Sequence, residues 1–204
     1  EWRPSAICIS SDSLERTRAF EILNWISYKY GFGTFIHRIS GYYSHATNIQ
    51  AVADLEKIRK KYSDLHHQVY IDSLISPSYT SAIAQAIQVP GISGMENNLV
   101  VFEYDKDDPT SCGDIIDNLP LTNSGNFDIT IFASSKNKIN FKGGIHLWIR
   151  SSDYENANLM ILLSFIMMGH KDWHKSDIRI FEVYKPSELE SLKVRVDDLI
   201  QTGR

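Results

Sequence analysis

The residues able to do chemistry in this chain fall into a few clusters, and their spacing limits what they can do. His170 and His174 stand four apart, the spacing at which two imidazoles on one helical face hold zinc. Gly169 ends a helix just before them, however, and no glutamate follows His170 as a metalloprotease motif requires. We read the pair as a solvated loop and His66-His67 as surface residues, and we expect no metal site. No Gly-x-Ser-x-Gly elbow offers a hydrolase nucleophile. Cys8 and Cys112, the two cysteines, are far apart without metal spacing and read as reduced thiols. Gly91 and Gly94 precede an apolar strand where a phosphate loop would follow one, so they read as a helix stop and a tight turn. Ser10, Ser11 and Asp12 close one apolar run, and Tyr104 and Asp105 close another. If those runs are parallel strands at the point where strand order reverses, these residues share a crevice at the carboxyl ends, where such sheets bind ligands. The sequence after Tyr104, Asp-Lys-Asp-Asp-Pro, repels phosphate. Ser10, Ser11 and Asp12 are more simply read as helix caps than as a catalytic group, so no catalytic residue, enzymatic activity or cofactor is expected.

The elements that must position these residues are legible from residues 68–105. Residues 69–74 are an apolar run, and Ser76-Pro77 opens a helix. Ala82, Ala86 and Val89 share a helical face, widened by Ile83 and Ile87, until Pro90-Gly91 stops it. Residues 99–104 are apolar with almost no alternation, so they form a central strand covered on both faces. A strand–helix–strand unit implies parallel strands and a right-handed crossover. Before it, residues 6–10 and 34–39 read as strands. Between those strands lies a helix capped at Ser11 or Asp12, with Glu15 completing a capping box. Ala19, Ile22, Leu23, Ile26 and Tyr30 form its inner face. A helix over about 44–63 follows, with Ala51, Leu55, Ile58 and Tyr62 inward and Arg59-Lys60-Lys61 at its C-terminal end. Residues 114–119 form a short helix and 127–133 a fifth strand. This alternation predicts a doubly wound parallel α/β sheet of five strands, ordered 3-2-1-4-5 or 2-1-3-4-5.

The pattern restarts after a polar linker at 136–144. In residues 145–204 we expect a strand at 145–149, a strongly apolar helix with a Ser152–Glu155 capping box, and a strand at 178–183. A last helix begins at Pro186 with a Ser187–Glu190 box. Leu159, Leu162, Leu163, Ile166 and Met167 form the inner stripe of the apolar helix, and Leu189, Leu192, Val196 and Leu199 face inward on the last. Ser10-Ser11-Asp12 and Ser151-Ser152-Asp153 each follow a strand, so the second unit repeats the first in outline. It is incomplete in this chain, because two strands and two helices cannot bury a sheet alone. Its sheet continues past Arg204 or borrows an edge from the first sheet or a second chain.

Composition bounds the function. Of the 204 residues, 43% are hydrophobic and 23% charged, which describes a folded chain with a real core. A net charge of −4 argues against general nucleic-acid binding. The longest apolar run, residues 159–168, is about half of the ~20 residues a membrane span needs, so no direct membrane insertion is expected.

Four segments, in order, resemble the C-terminal cytoplasmic domain of the cation-chloride cotransporters, the Na-K-Cl and K-Cl family. They are Trp2-Arg3-Pro4 before the first strand, Gly91-Ile-Ser-Gly94-Met95 leading into Asn98-Leu-Val-Val, Gly144-Ile-His-Leu-Trp148-Ile, and His170-Lys-Asp-Trp173 leading into Ile178-Arg-Ile-Phe181. The family usually has Asp-Gly-Gly where this chain has Ser152-Asp153-Tyr154. The resemblance implies two units similar to universal stress proteins, forming the regulatory and dimerisation domain of a chloride symporter that also moves sodium and/or potassium. The domain would lie on the cytoplasmic face of the cell membrane, form a homodimer, and contact the transmembrane part of the same transporter. It would hold no ion pathway, because such sites lie among membrane helices. Leu159, Met160, Met167, Met168 and Trp173 are then the candidate dimer or docking face on the second unit. The rival readings are a stand-alone universal-stress-type nucleotide-binding protein and a small α/β enzyme.

Overall fold

Every residue of β1 (Ser5–Ser10) is buried, as are the first four of β4 (Leu99–Asp105). Strands without polar alternation must be covered on both faces, and the winding of the chain achieves this. The computed structural model describes residues 2–65, 67–91, 94, 96–150 and 154–202. It divides into two units, Glu1–Asn137 and Lys138–Arg204, the break falling inside the expected linker. In the first unit β1, β2 (Phe32–Ser40), β3 (Val69–Ser76), β4 and β5 (Asp128–Ser134) form one all-parallel sheet in the order β3-β2-β1-β4-β5. This is the doubly wound sheet expected, in the first of its two expected orders.

The faces follow from alternation along the strands. Ile7, Ile9, Val100 and Phe102 meet Ala82, Ile83 and Ala86 of α3 (Tyr79–Ile87) and Ile115 of α4 (Cys112–Ser124). On the opposite face Phe35 of β2 meets Phe20 of α1 (Arg18–Ser27) edge-on at 5.6 Å. Phe20 in turn stacks on Tyr62 of α2 (His45–Tyr62) at 3.7 Å. At the amino edge of the sheet, Asn98 joins three segments. Its side chain donates to the Arg3 carbonyl at 2.7 Å and accepts from Ser5 N at 2.8 Å. Its own carbonyl accepts from Asp128 N at 2.9 Å.

Helix α2 begins and ends as its sequence predicts. Ser44 and Thr47 cap each other's backbone N–H groups at 3.2 and 2.9 Å. Two other starts differ. Helix α3 is capped by Ser78, whose hydroxyl accepts from Ser81 N at 3.0 Å. Ser76 instead ends β3, and Val89 lies past the helix and is exposed. Helix α1 begins at Arg18, so the proposed Asp12–Glu15 capping box does not open it. Glu15 N and Arg16 N both donate to the Asp12 carbonyl in a turn, at 3.0 and 2.8 Å. Tertiary bonds hold this loop out of the helix: Ser13 Oγ donates to the Ser10 carbonyl at 3.2 Å, and Lys61 Nζ of α2 donates to the Leu14 carbonyl at 2.5 Å. Of the expected inner face of α1, Ala19, Leu23 and Ile26 are buried, Ile22 is half-buried, and Tyr30 lies beyond the helix and is exposed.

The second unit pairs β6 (Ile145–Ile149) with β7 (Ile178–Glu182) in parallel. Helix α5 (Tyr154–Met168) packs on β6 and on α6 (Leu189–Thr202). Gly144 has φ +83°, and a Cβ there would lie 2.5 Å from the Asp177 carbonyl oxygen, the same oxygen that accepts from Ile145 N. Only glycine tolerates both conditions. The Ser187–Glu190 box is absent. Pro186–Glu188 form a 3-10 turn leading into α6, and Glu190 pairs with Lys193 at 3.0 Å. Ser152, and with it the Ser151-Ser152-Asp153 half of the repeat, lies outside the described residues. Among the described residues no helix is long and apolar enough to cross a membrane.

The buried sheet centre sets the first prediction. Phe102→Ala removes a ring that is 1% exposed and is expected to cost about 3–5 kcal/mol in urea unfolding. Val52→Ala on the exposed side of α2 is expected to stay within about 0.5 kcal/mol of wild type.

Candidate functional site

The chain winds one way from β1 through β2 to β3, then crosses to β4 on the other side of β1. The carboxyl ends of β1 and β4 are therefore the switch point, where such sheets leave a crevice. Here it is a hollow of about 740 Å3 in the first unit. Asp12, Glu15, Glu103, Asp105, Asp108 and Asp114 line it, against Arg16, Arg18 and Lys136. Two of the three cations are already engaged. Arg16 Nη2 holds Asp12 at 2.9 Å, and Arg18 holds Glu21 at 2.5 Å and the Asn137 carbonyl at 2.9 Å. The crevice thus presents excess negative charge.

Glu103 is its most unusual member. It lies on the α1 face of β4, beside buried Cys8 on β1. Burial raises its carboxyl pKa above the ordinary range, with Arg16 and Ser134 pulling the other way. Its Oε1 and the Nη1 of Arg16 are buried without hydrogen-bond partners among the described residues. Burial likewise pushes the Cys8 thiol up, which keeps it protonated and unreactive.

The crevice residues expected from the sequence divide. Asp12 and Asp105 line the hollow. Ser10, Ser11 and Asp12 line a smaller recess beside it, which Arg16 and Glu103 also border. Ser10 is turned inward, its hydroxyl accepting from Asp12 N at 3.3 Å. The Asp105 carboxylate accepts from Asp107 N at 2.9 Å, shaping its own loop. Tyr104 does not join them. Alternation turns its ring to the other face, where it packs against the core under α3 and α4. Neither the loop after β1 nor the loop after β4 contains a glycine through residues 11–17 and 105–111, so neither offers the close backbone approach of a phosphate cradle.

A second constellation escaped the sequence reading. His37 Nδ1 of β2 lies 3.1 Å from Ser13 Oγ, and its Nε2 lies 3.9 Å from Asp54 Oδ2 of α2. The residue types are those of a hydrolase triad, but Ser13 is fully buried and its hydroxyl proton is given to Ser10. That serine is not presented to a substrate. The available signals were local. Glu103 is the one charge inside an apolar strand, and His37 falls in register with buried Phe35 and Ile39.

The histidines read as solvated also need correction. His170 is 2% exposed and accepts from Asp172 N at 3.2 Å, because the turn after Gly169 folds its ring inward. His174 is exposed. His67 is half-buried, edge-on to Phe20 at 5.1 Å. His66 lies outside the described residues. Among the described residues no three His, Cys, Asp or Glu side chains converge as metal ligands would.

The expected docking stripe is rearranged. Trp173 is 6% exposed and packs edge-on against Phe141 at 4.8 Å, so it is core. Leu159, Met160, Met167 and Met168 are half-buried, while Ala157, Ile161, Ser164 and Ile166 are the buried residues of α5, Ile166 alone coming from the expected inner stripe. A helix apolar on every side gives periodicity nothing to choose between. The open aromatic surface of this unit lies on the sheet. Trp148 is 62% exposed and stacks on Phe181 at 4.7 Å, with His146 edge-on to the same ring at 5.1 Å.

These features define a doubly wound α/β protein with an acidic switch-point crevice. Comparison with known protein families matched no family model to the chain.

The raised Glu103 carboxyl makes stability depend on pH. Its favourable contribution is complete below the ordinary carboxylate pKa and is lost as pH climbs through the raised native value. Glu103→Gln is therefore expected to gain stability relative to wild type as pH rises across that window. Urea unfolding at stepped pH checks this, and a difference that stays flat contradicts it.

Proposed function

We propose that this chain is the cytosolic regulatory and dimerisation domain of a membrane cation-chloride cotransporter, a chloride symporter that also carries sodium and/or potassium. On this reading it sits at the cytoplasmic face of the membrane as a homodimer, against the transmembrane part of the same transporter. It holds no ion path and performs no chemistry. It biases transport because its docking energy differs between the inward-open and outward-open states.

The outer face of the β6–β7 pair carries this reading. A parallel pair normally has both faces covered, yet Trp148, Phe181 and His146 line one side with Trp148 largely open. A stacked aromatic pair of this kind is what a partner's surface buries. Further support comes from where the family-like segments lie. Trp2-Arg3-Pro4 and Asn98 meet through the Asn98–Arg3 bond, and the Gly144 and Ile178 segments meet as the paired strands β6 and β7. Trp148→Glu is expected to weaken self-association by roughly 2 kcal/mol or more, as loss of a central aromatic anchor does. Light scattering on the chain reads the association, and cation-dependent chloride uptake by the full transporter reads its consequence. A dimer that survives the substitution unchanged contradicts the proposed face.

The switch-point crevice favours one other reading, a stand-alone nucleotide-binding protein of the universal-stress type. Its excess of carboxylates opposes a triphosphate. Calorimetry with ATP is expected to give no measurable heat of binding, and micromolar binding would reverse the preference.

A further inference from the structure

We infer that His37 is a proton-operated latch that fastens the loop at residues 11–17 to α2. Ser13 spends its one hydroxyl hydrogen on the Ser10 carbonyl at 3.2 Å. We assign the hydrogen of the 3.1 Å contact between Ser13 Oγ and His37 Nδ1 to the ring, the tautomer that pairs with the Ser13–Ser10 bond. In the neutral ring this leaves Nε2 as a bare lone pair facing Asp54 Oδ2 at 3.9 Å, beyond hydrogen-bond distance. A second proton, on Nε2, turns that opposition into a charge-assisted bond. With it every group has a partner: Ser13 to Ser10, Nδ1 to Ser13, Nε2 to Asp54. The neutral ring fastens the loop through Ser13 alone, and the cation adds the contact to Asp54 against the cost of burying its charge.

The surroundings suit this role. Lys57 Nζ of α2 holds the other Asp54 oxygen at 2.9 Å, leaving Oδ2 toward the ring. Lys61 of α2 grips the Leu14 carbonyl, and Arg38 Nε of β2 bonds Ser11 Oγ at 3.1 Å. Histidine is the side-chain type in this joint whose ordinary titration falls between about pH 5 and 8, so His37 is the member that can switch. A cavity of about 330 Å3, bordered by His37, Asp54, Gln50, Asp12 and Glu15, gives Asp54 room to move and the proton a route. Burial holds the ring's pKa below that of an ordinary histidine, with Asp54 and Asp12 opposing it. The neutral ring's contribution to stability is thus whole above the ordinary histidine value and is lost as pH falls through the lower native one. The loop it fastens carries Asp12 and Arg16 into the switch-point crevice, so the latch acts on that crevice whatever binds there. It does not rest on the transporter reading.

The test is an NMR titration from about pH 8 to about pH 5, following the His37 ring and the amides of Ser13, Leu14 and Asp54. We expect one midpoint for all four, below that of an exposed histidine. In His37→Gln the three amides should stop moving in this range. In Asp54→Asn, which keeps the ring but removes the charge that favours its cation, the midpoint should shift further down. Amides that titrate in His37→Gln as in wild type, or an Asp54→Asn midpoint that does not move, would overturn the latch. Should His37→Gln fail to fold, the Asp54→Asn titration decides alone.

Discussion

The first unit depends on the side-by-side burial of β1 and β4. Ala6, Ile7 and Cys8 pair with Leu99, Val100 and Val101, and none of the six is more than 2% exposed. A parallel pair buried this deeply needs a helical layer on each face. The chain supplies one layer with α1 and α2, winding away from β1, and the other with α3 and α4 after it crosses back. The same reversal opens a crevice between the segments that follow β1 and β4. The crevice is thus a consequence of covering the sheet.

What lines that crevice is set by one departure from apolar packing. Glu103 continues a strand whose preceding four residues are core, and the sheet carries its carboxylate beneath α1. Arg16 is the compensating charge, and the loop that delivers it is held by side chains of β2 and α2. The polar groups of this unit therefore do two jobs: they hold the β1–α1 loop out of helix, and they fill the switch point with charges that have little left to offer a phosphate.

The second unit poses a different problem. Tyr154 donates to Glu182 at 2.5 Å, and Arg195 lies over the Tyr154 ring at 5.2 Å, tying α5, β7 and α6 together. This clamp and the buried faces of β6 and α5 secure one side of the strand pair. The other side carries the stacked Trp148 and Phe181, with Trp148 largely exposed. The two units thus differ: the first buries the centre of its sheet under helices on both faces, and the second carries Trp148 largely open on its strand pair.

Much of this was legible in the sequence. The apolar runs at 6–10, 69–74, 99–104, 145–149 and 178–183 became strands, the last ending at Glu182, because backbone pairing and burial act along a single run. Ser44 and the lysines of α2 marked that helix because capping is local. Asp12 and Asp105 were found at the crevice because position at a strand's carboxyl end follows from topology alone. Other features depended on which side of an element faces the core. Tyr104 turned away from Asp105 because neighbouring residues of a strand face opposite ways. Trp173 became core through its contact with Phe141, and α5 chose Ala157 and Ile161 over its leucines, because residues 159–168 are apolar nearly all round and carry little directional signal. The delayed start of α1 and the Ser13–His37–Asp54 contact required three distant segments to meet. The sequence by itself determined the elements, their parallel winding and the acidic character of the switch point, since all of these arise within short stretches. Only the tertiary structure decided which side chains converge, because that depends on strand register and on how each helix is rotated against the sheet.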